Sequence, residues 1–299
     1  MNIKKAETMI DYVVTTTKPL WELWINLSYE DLDEIFLKSA YEQGGFAATA
    51  FYMLLKDEGI GSIKDVGLIL RDYEGEKKYV REKKGSLESP FYRDLEKGVY
   101  GHNGKIFYKC VNKFLSEKWG NPGRFFWAKL WQMLVCCAHL EQHYNSSFKY
   151  YLRKRYSDYR GISLISDDDF CNISKNEWEE FKKDIFPWDE LYGIGENVFD
   201  FLVRNINEFK FRSDSTKLDS ANSHFFKVTG ISNLIGDENR EPILKFLKGL
   251  QLQNNYTLGE INAGIYSYCA LTERKNFGFC RNPERCVECG VNSICEKNF

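Results

Sequence analysis

The stretch LYGIGENVFDFLVRNI, residues 191–206, joins a tight glycine turn directly to a segment with the apolar spacing of an amphipathic helix. Glycine accepts backbone angles that other residues avoid, so Gly193 and Gly195 on either side of Ile194 allow a sharp turn. The first N–H groups of a helix lack intrahelical partners, and together with the helix dipole they favour an anion. The stretch therefore predicts either an anion site at a helix start or an ordinary turn between two helices.

Further along the chain, LDSANSHFFKVTGI (218–231) places an aspartate in front of another helical pattern. Phe225, Phe226 and Val228 are spaced to face a core, so Asp219 stands at the predicted start of this helix. An aspartate in this position is commonly an N-cap, which contributes about 1 kcal/mol. The functional alternative is a carboxylate that is held at a helix end and faces a cleft.

Four of the nine cysteines fall in CRNPERCVECGVNSIC, residues 280–295, with the spacing C-x5-C-x2-C-x5-C. Four thiolates select either tetrahedral zinc or an iron–sulfur cluster. Zinc sites usually contain two C-x2-C knuckles, whereas a single one between longer loops favours a four-iron cluster. Zinc, and unliganded or disulfide-bonded cysteines, are the alternatives, and Cys269 is a fifth candidate ligand. The predicted ligands are Cys280, Cys286, Cys289 and Cys295.

The composition indicates a folded, helix-rich protein. Hydrophobic residues make up 43% and aromatic residues 16% of the 299 residues, which excludes a disordered chain. The formal net charge is −2, so affinity for nucleic acid has to come from local basic patches. The N-terminus lacks a signal-peptide pattern, and the apolar run WAKLWQMLVCCAHL is too short and too polar to span a bilayer. We therefore expect an all-α, cytoplasmic protein without a membrane partner, where clustered cysteines are more often metal ligands than disulfides.

Two local patterns upstream predict where helices begin and end. The segment FFWAKLWQMLVCCAHLEQHYNSSFKYYLRKRY (125–156) is too long for one buried helix, and its predicted break is at Asn145 and Ser146. Ser174 and Glu177 have the spacing of a capping box at the start of another helix. Both patterns support the helical class.

Taken in order, the glycine turn, the aspartate motif and the cysteine segment resemble the iron–sulfur branch of the helix-hairpin-helix DNA glycosylase superfamily. Endonuclease III and the adenine-mismatch glycosylases typify this branch. Its pattern is a hairpin L-P-G-V/I-G, an aspartate motif that closes with G-L or G-I, and cysteines spaced C-x6-C-x2-C-x5-C. The likeness covers residues 191–299. The matching residues are Leu191, Gly193, Ile194 and Gly195 in the hairpin, Leu218, Asp219, Gly230 and Ile231 in the aspartate motif, and the four cysteines.

The resemblance implies a fold and a division into regions. The fold would be an all-α helix-hairpin-helix glycosylase fold with a C-terminal iron–sulfur loop and an additional helical N-terminal region. The expected regions are 1–117, without a counterpart in the family, 118–231, a barrel-like helical domain with the hairpin at 191–206, and 232–299, C-terminal helices with the cluster loop.

The resemblance also implies an activity, in which a damaged, mismatched or modified base is flipped out of double-stranded DNA and its N-glycosidic bond is hydrolysed. Asp219 would be the catalytic carboxylate, and Asp214 is its rival because its distance from the hairpin is closer to that in the family. Asn197 stands where bifunctional members have a Schiff-base lysine, so we expect a monofunctional enzyme without lysine-dependent lyase activity. It would act in repair or, alternatively, in defence against phage DNA with modified bases.

Further residues are expected to contact the DNA or hold the cofactor. Gln142 would fill the gap left by the flipped base, with an ordinary solvent-facing glutamine as the alternative. A [4Fe-4S] cluster would be structural, and the protein would be a monomer. The residues expected to contact the DNA backbone are Gly193, Ile194 and Gly195 through their amides, and Arg281, Arg285, Lys149, Arg153, Lys154 and Arg155, whose alternative is a solvated face.

Departures from the family pattern keep two other functions open. Tyr192 replaces the hairpin proline, His224 replaces the arginine after the aspartate, and the first cysteine loop is one residue short. A non-catalytic iron–sulfur DNA-binding protein on the same scaffold is the first alternative. A zinc protein without a role on DNA is the second.

Overall fold

The structure is a computed structural model of the chain, and in the part that it describes all regular secondary structure is helical. The described residues are 1–25, 32–42, 46–70, 87–117, 122, 125–184, 190–204, 206, 208–211, 216, 218–236, 239–270 and 279–299. These ranges contain no strand, which confirms the all-α class. None of their helices is both long enough and apolar enough to cross a membrane.

Fifteen α-helices and two short 3-10 helices have defined bounds within the described residues. The α-helices are α1 (Ile3–Ile25), α2 (Leu32–Ser39), α3 (Ala48–Asp57), α4 (Ile63–Gly67), α5 (Pro90–Lys97), α6 (Gly101–Ser116), α7 (Phe126–His143), α8 (Phe148–Arg160), α9 (Asp167–Cys171), α10 (Lys175–Asp184), α11 (Glu196–Arg204), α12 (Ser220–Thr229), α13 (Ser232–Ile235), α14 (Arg240–Lys248) and α15 (Leu258–Cys269). The 3-10 helices are Phe279–Arg281 and Pro283–Glu288.

The chain forms two compact units. The terminal unit comprises Met1–Ser28, Val203–Asn205 and Phe211–Phe299, and the central unit comprises Tyr29–Leu202 and Ile206–Lys210. These limits differ from the expected division after residues 117 and 231, because α1 belongs to the same unit as the C-terminal helices.

In the terminal unit, α1 packs along α15. Gly264 permits this close approach, because a Cβ at that position would lie 2.8 Å from the Cα of Val14. The hydroxyl of Thr17 donates to the carbonyl of Gly264 at 3.2 Å, and the buried indole of Trp21 donates to the carbonyl of Val14 at 2.9 Å. Since α12 also packs on α15, these helices together enclose the apolar core of the unit.

Aromatic rings fill much of the core of the central unit. Phe46 lies edge-to-face against Phe114 and Phe126, with centroid distances of 5.8 and 5.2 Å. The rings of Phe114 and Phe126 stack on each other at 5.5 Å. Each such pair contributes about 0.5–1.5 kcal/mol beyond the burial of its area. These aromatic side chains therefore stabilise the fold rather than offer a surface to a ligand.

Both predicted helix boundaries are confirmed. Asn145 and Ser146 separate α7 from α8, and they have positive φ values of 52° and 56°. Ser147 then caps α8 by accepting a backbone N–H of its first turn. At the start of α10, the Glu177 carboxylate accepts from the backbone N–H of Ser174 at 3.0 Å, and the Ser174 hydroxyl accepts from the N–H of Glu177 at 3.3 Å.

A buried ion pair joins α10 to α11. The ammonium of Lys182 lies 2.7 Å from Oδ1 of Asp200, and both side chains are buried. The more exposed carboxylates of Glu179 and Glu196 lie 3.2 and 3.8 Å from the same ammonium. A buried ion without a partner of opposite charge strongly destabilises the fold. This pair therefore stabilises the packing of the helix before the glycine turn against the helix after it.

Candidate functional site

The glycine turn is anchored by its two apolar residues. Leu191 and Ile194 are fully buried, and the N–H of Ile194 donates to the carbonyl of Leu191 at 2.9 Å. Gly193 has a left-handed backbone with φ +77°. The carbonyl of Gly195 accepts from the backbone N–H groups of Val198 and Phe199, the third and fourth residues of α11, both at 3.0 Å. The chain thus passes directly from a tight turn into a helix, as the sequence predicts.

The first turn of α11 carries an acidic side chain where an anion would bind. Glu196 and Asn197 are the first two residues of the helix, and both are exposed. A carboxylate in the first turn interacts favourably with the helix dipole. A phosphate at this helix start would therefore have to displace the carboxylate of Glu196 or share the site with it.

Replacing Gly193 with alanine is expected to destabilise the central unit by about 1–2 kcal/mol. The left-handed backbone disfavours a side chain, and the new Cβ would lie 2.2 Å from the amide nitrogen of Gln132. Gly195→Ala is the matched control, because a Cβ there meets nothing within 4 Å. Urea denaturation of both variants measures the difference, and equal midpoints would contradict this account of the turn.

Four basic residues of α8 pair with three carboxylates inside the central unit, because Lys149 and Arg153 share Asp167. Each of the four that are expected to contact DNA or to form a solvated face has a carboxylate partner. The hydrogen bond from Lys149 is the largest cause that lowers the pKa of Asp167. Such pairs cancel much of the local field that would attract a phosphate, so a solvated, self-paired helix face is favoured. The pairs are Lys149–Asp167, Arg153–Asp167, Lys154–Asp158 and Arg155–Glu190.

Asp219 is the N-cap of α12, as its position in the sequence predicts. Its Oδ1 accepts from the backbone N–H groups of Ala221 at 2.9 Å and Asn222 at 3.2 Å, and from the side-chain amide of Asn222 at 3.3 Å. All three bonds end on one oxygen. The other oxygen, Oδ2, has no hydrogen-bond partner among the residues that the structure describes.

A chain of buried amides supports this carboxylate. Asn222 and Asn262 are 1% and 4% exposed, and the amide nitrogen of Asn262 on α15 donates to Oδ1 of Asn222. This bond orients the amide of Asn222 so that its nitrogen faces Asp219. Sequence reasoning missed both asparagines. The spacing of Asn222, three residues after the cap, is a usable signal because such residues often contact the cap, whereas no local pattern marks Asn262.

The four cysteines of residues 280–295 line one small cavity of about 20 Å³ in the terminal unit. Most of the remaining wall is apolar, and an apolar wall keeps water away from coordinating sulfurs. The main apolar and aromatic wall residues are Phe225 and Val228 from α12, Tyr268 from α15, and Phe279 and Val291 beside the cysteines.

The thiols of this cavity influence one another. Burial is the first cause that raises the pKa of Cys286 and of Cys295, and neighbouring thiolates raise both further. Within the described ranges, no group of three or more His, Cys, Asp or Glu side chains converges closely enough to mark a formed metal site. Cys280 is buried and the other three thiols are partly buried. Neighbouring thiols deprotonate together most readily when a cation compensates their charge, so this donor set fits a metal centre in its chemistry.

Two side-chain contacts fasten the cysteine segment to α12. The ring nitrogen Nε2 of His224 donates to the carbonyl of Cys280 at 2.7 Å. The guanidinium of Arg281 donates to the carbonyl of Ser220 at 3.4 Å. The helix that carries Asp219 at its start therefore also forms a wall of the cysteine cavity.

Arg285 is engaged within the cysteine segment itself. Its guanidinium lies 4.0 Å from the ring centre of Phe279 and 3.7 Å from the carboxylate of Glu288. A cation–π contact of this kind stabilises the conformation of the segment that contains it. Arg281 and Arg285, which the sequence marks as DNA contacts, thus both make contacts inside the protein.

The structure assembles only part of the predicted site in one unit. The terminal unit contains Asp219, Arg281, Arg285 and the four cysteines. The central unit contains Gly193, Ile194, Gly195, Asn197 and the exposed Gln142. The rival carboxylate, Asp214, lies outside the described residues. Comparison of the chain with known protein families, with curated proteins and with solved structures gives no significant match.

Proposed function

We propose that the protein is a monofunctional DNA glycosylase, which flips a damaged, mismatched or modified base out of double-stranded DNA and hydrolyses its N-glycosidic bond. The observation that carries this proposal is the carboxylate of Asp219 at the start of α12. One of its oxygens is fixed by three donors, while the other has no partner among the described residues. The order of the glycine turn, the aspartate and the cysteines along the chain supports the same function.

Asp219 would provide the electrostatic part of the reaction. As the base leaves, positive charge develops on the sugar, in the manner of an oxocarbenium ion. An ionised carboxylate stabilises this charge through Oδ2 and orients the water that attacks the sugar carbon. The bonds to Oδ1, supported by Asn222 and Asn262, keep the carboxylate from turning while the charge develops.

Asn197 would limit the reaction to hydrolysis. Bifunctional glycosylases use an amine that attacks the sugar and forms a Schiff base. The side-chain amide of Asn197 is not a nucleophile of that kind. The product is therefore an abasic site in an otherwise intact strand.

The amides of the glycine turn would hold a DNA phosphate. The carboxylate of Glu196 weakens this attraction, and the cations of α8 are already paired. We therefore propose that binding to undamaged DNA is weak and falls with increasing salt. A flipped base would supply the additional contacts that make the complex specific.

The cysteines Cys280, Cys286, Cys289 and Cys295 would hold a [4Fe-4S] cluster, with zinc as the second choice. When bound, this group supplies a structural cross-link rather than a redox step. The bonds from His224 and Arg281 connect the cross-linked segment to α12. Metal binding would thereby stabilise the helix that presents Asp219.

A non-catalytic DNA-binding protein is the second candidate. One observation favours it, because the three bonds to Asp219 are also those of an ordinary helix cap. The two candidates share the scaffold and the metal centre. They differ only in whether a base is released.

Duplex oligonucleotides with a panel of damaged, mismatched and modified bases test the proposal. We expect mass spectrometry to detect a free base from at least one substrate, without strand cleavage before alkali treatment. DNA binding without release from any oligonucleotide or phage genome would favour the non-catalytic protein. Absence of both binding and release would contradict a function on DNA, and a colourless, zinc-loaded protein would contradict the iron–sulfur cluster.

A further inference from the structure

The last turn of α15 lies beside one of the four clustered cysteines. The hydroxyl of Tyr268 is 2.9 Å from Sγ of Cys289. Tyr268 is 2% exposed, so water does not replace it as the partner of this sulfur.

The ring of Tyr268 is held firmly in this position. It stacks on Phe279 at 4.8 Å and lies edge-to-face against Tyr12 at 6.4 Å. Phe279 is held in turn by Arg285, whose guanidinium lies 4.0 Å from the centre of the Phe279 ring. With its ring fixed, the hydroxyl of Tyr268 remains directed at Cys289.

The direction of this bond follows from the chemistry of a coordinating sulfur. A cysteine that binds a metal is a thiolate, which accepts hydrogen bonds and donates none. The hydroxyl of Tyr268 must then be the donor. Groups that donate to ligand atoms orient them and strengthen metal binding.

We propose that Tyr268 is a positioning residue of the metal centre, which donates a hydrogen bond to the ligand sulfur of Cys289. This inference rests on the proposed binding of a metal by the four cysteines, but not on glycosylase activity. It applies to an iron–sulfur cluster and to zinc alike, since both are held by thiolates.

The rate at which the loaded full-length protein loses its metal to a chelator tests this role. We expect Tyr268→Phe to release metal about 10–100-fold faster than the wild type, because it loses only the hydroxyl. Tyr12→Phe is the matched control, since its ring touches Tyr268 but its hydroxyl is not the group placed on a ligand sulfur, and it should release metal at the wild-type rate.

Each outcome bears on the inference. If Tyr268→Phe retains metal as the wild type does, Tyr268 is not a donor to the ligand sulfur. A wild type that loads neither iron nor zinc overturns this inference together with the metal centre. Loss of base release alone leaves the inference standing, because metal release is measured independently.

Discussion

Replacing Asp219 with asparagine is expected to lower the rate of base release by about 10³-fold, while the protein stays folded and still binds DNA. The substitution removes the negative charge that stabilises the developing cation on the sugar. It keeps an oxygen that can accept from the backbone N–H groups of Ala221 and Asn222, and asparagine is as good an N-cap as aspartate. The effect on catalysis is thereby separated from the effect on the helix.

Single-turnover assays with excess enzyme, on the substrate found with the oligonucleotide panel, measure this loss. Asp214→Asn is the matched control, because it removes the rival carboxylate, and we expect it to keep normal activity. Asp219→Ala additionally removes the cap and should lower the free energy of unfolding by about 1 kcal/mol. Full activity of Asp219→Asn with loss of activity in Asp214→Asn would move the catalytic role to Asp214.

The largest expected effect on stability follows from the buried ion pair between α10 and α11. Replacing Lys182 with methionine should lower the free energy of unfolding by about 3 kcal/mol, because the buried carboxylate of Asp200 loses the ammonium 2.7 Å away. Methionine keeps most of the apolar stem of lysine, so little packing is lost. Chemical denaturation in urea, followed by circular dichroism, measures the change.

Two further variants make this prediction specific to the buried pair. The double variant Lys182→Met with Asp200→Leu should recover much of the lost stability, since an apolar pair replaces the ionic one. Lys154→Met removes an exposed ion pair with Asp158 and should cost about 0.5 kcal/mol or less. Equal effects of Lys182→Met and Lys154→Met would show that Lys182 and Asp200 do not form a buried pair.

The helical class of this protein is predictable because its signals are local. Asn145 and Ser146 interrupt a run of apolar residues, and Ser174 and Glu177 form the capping box that their spacing predicts. Asp219 caps its helix because it directly precedes one. Each of these features depends on residues only a few positions apart, so inspection of the sequence finds them.

Pairings between distant segments are not contained in such local patterns. The periodicity of a helix identifies its apolar face but not the element that covers it, so the packing of α1 on α15 could not be foreseen. The basic residues of α8 likewise predict a positive surface, because the sequence pattern does not show which carboxylates lie beside them. The carboxylates that neutralise it, including Asp167 and Glu190, come from other segments.

For the candidate site too, the local features are predictable from the sequence and the contacts between distant segments are not. The type and order of its residues identify Asp219 and the four cysteines as a group, and the structure places them in one unit. The supporting contacts of Asn262 and Tyr268 depend on where α15 lies. They could be recognised only once its position was known.

The pairing of α1 with α15 determines when each unit can fold during synthesis. The ribosome makes α1 before the central unit, but α15 emerges only after the whole central unit has been made. The central unit is nearly continuous in sequence, so its aromatic core can form as soon as its own residues are available. The apolar face of α1, with Val13 and Val14, lacks its permanent neighbour throughout that interval. Although α1 is made before the central unit, it is stabilised after that unit, and the time needed to translate the central unit sets how long the apolar face of α1 is open to aggregation.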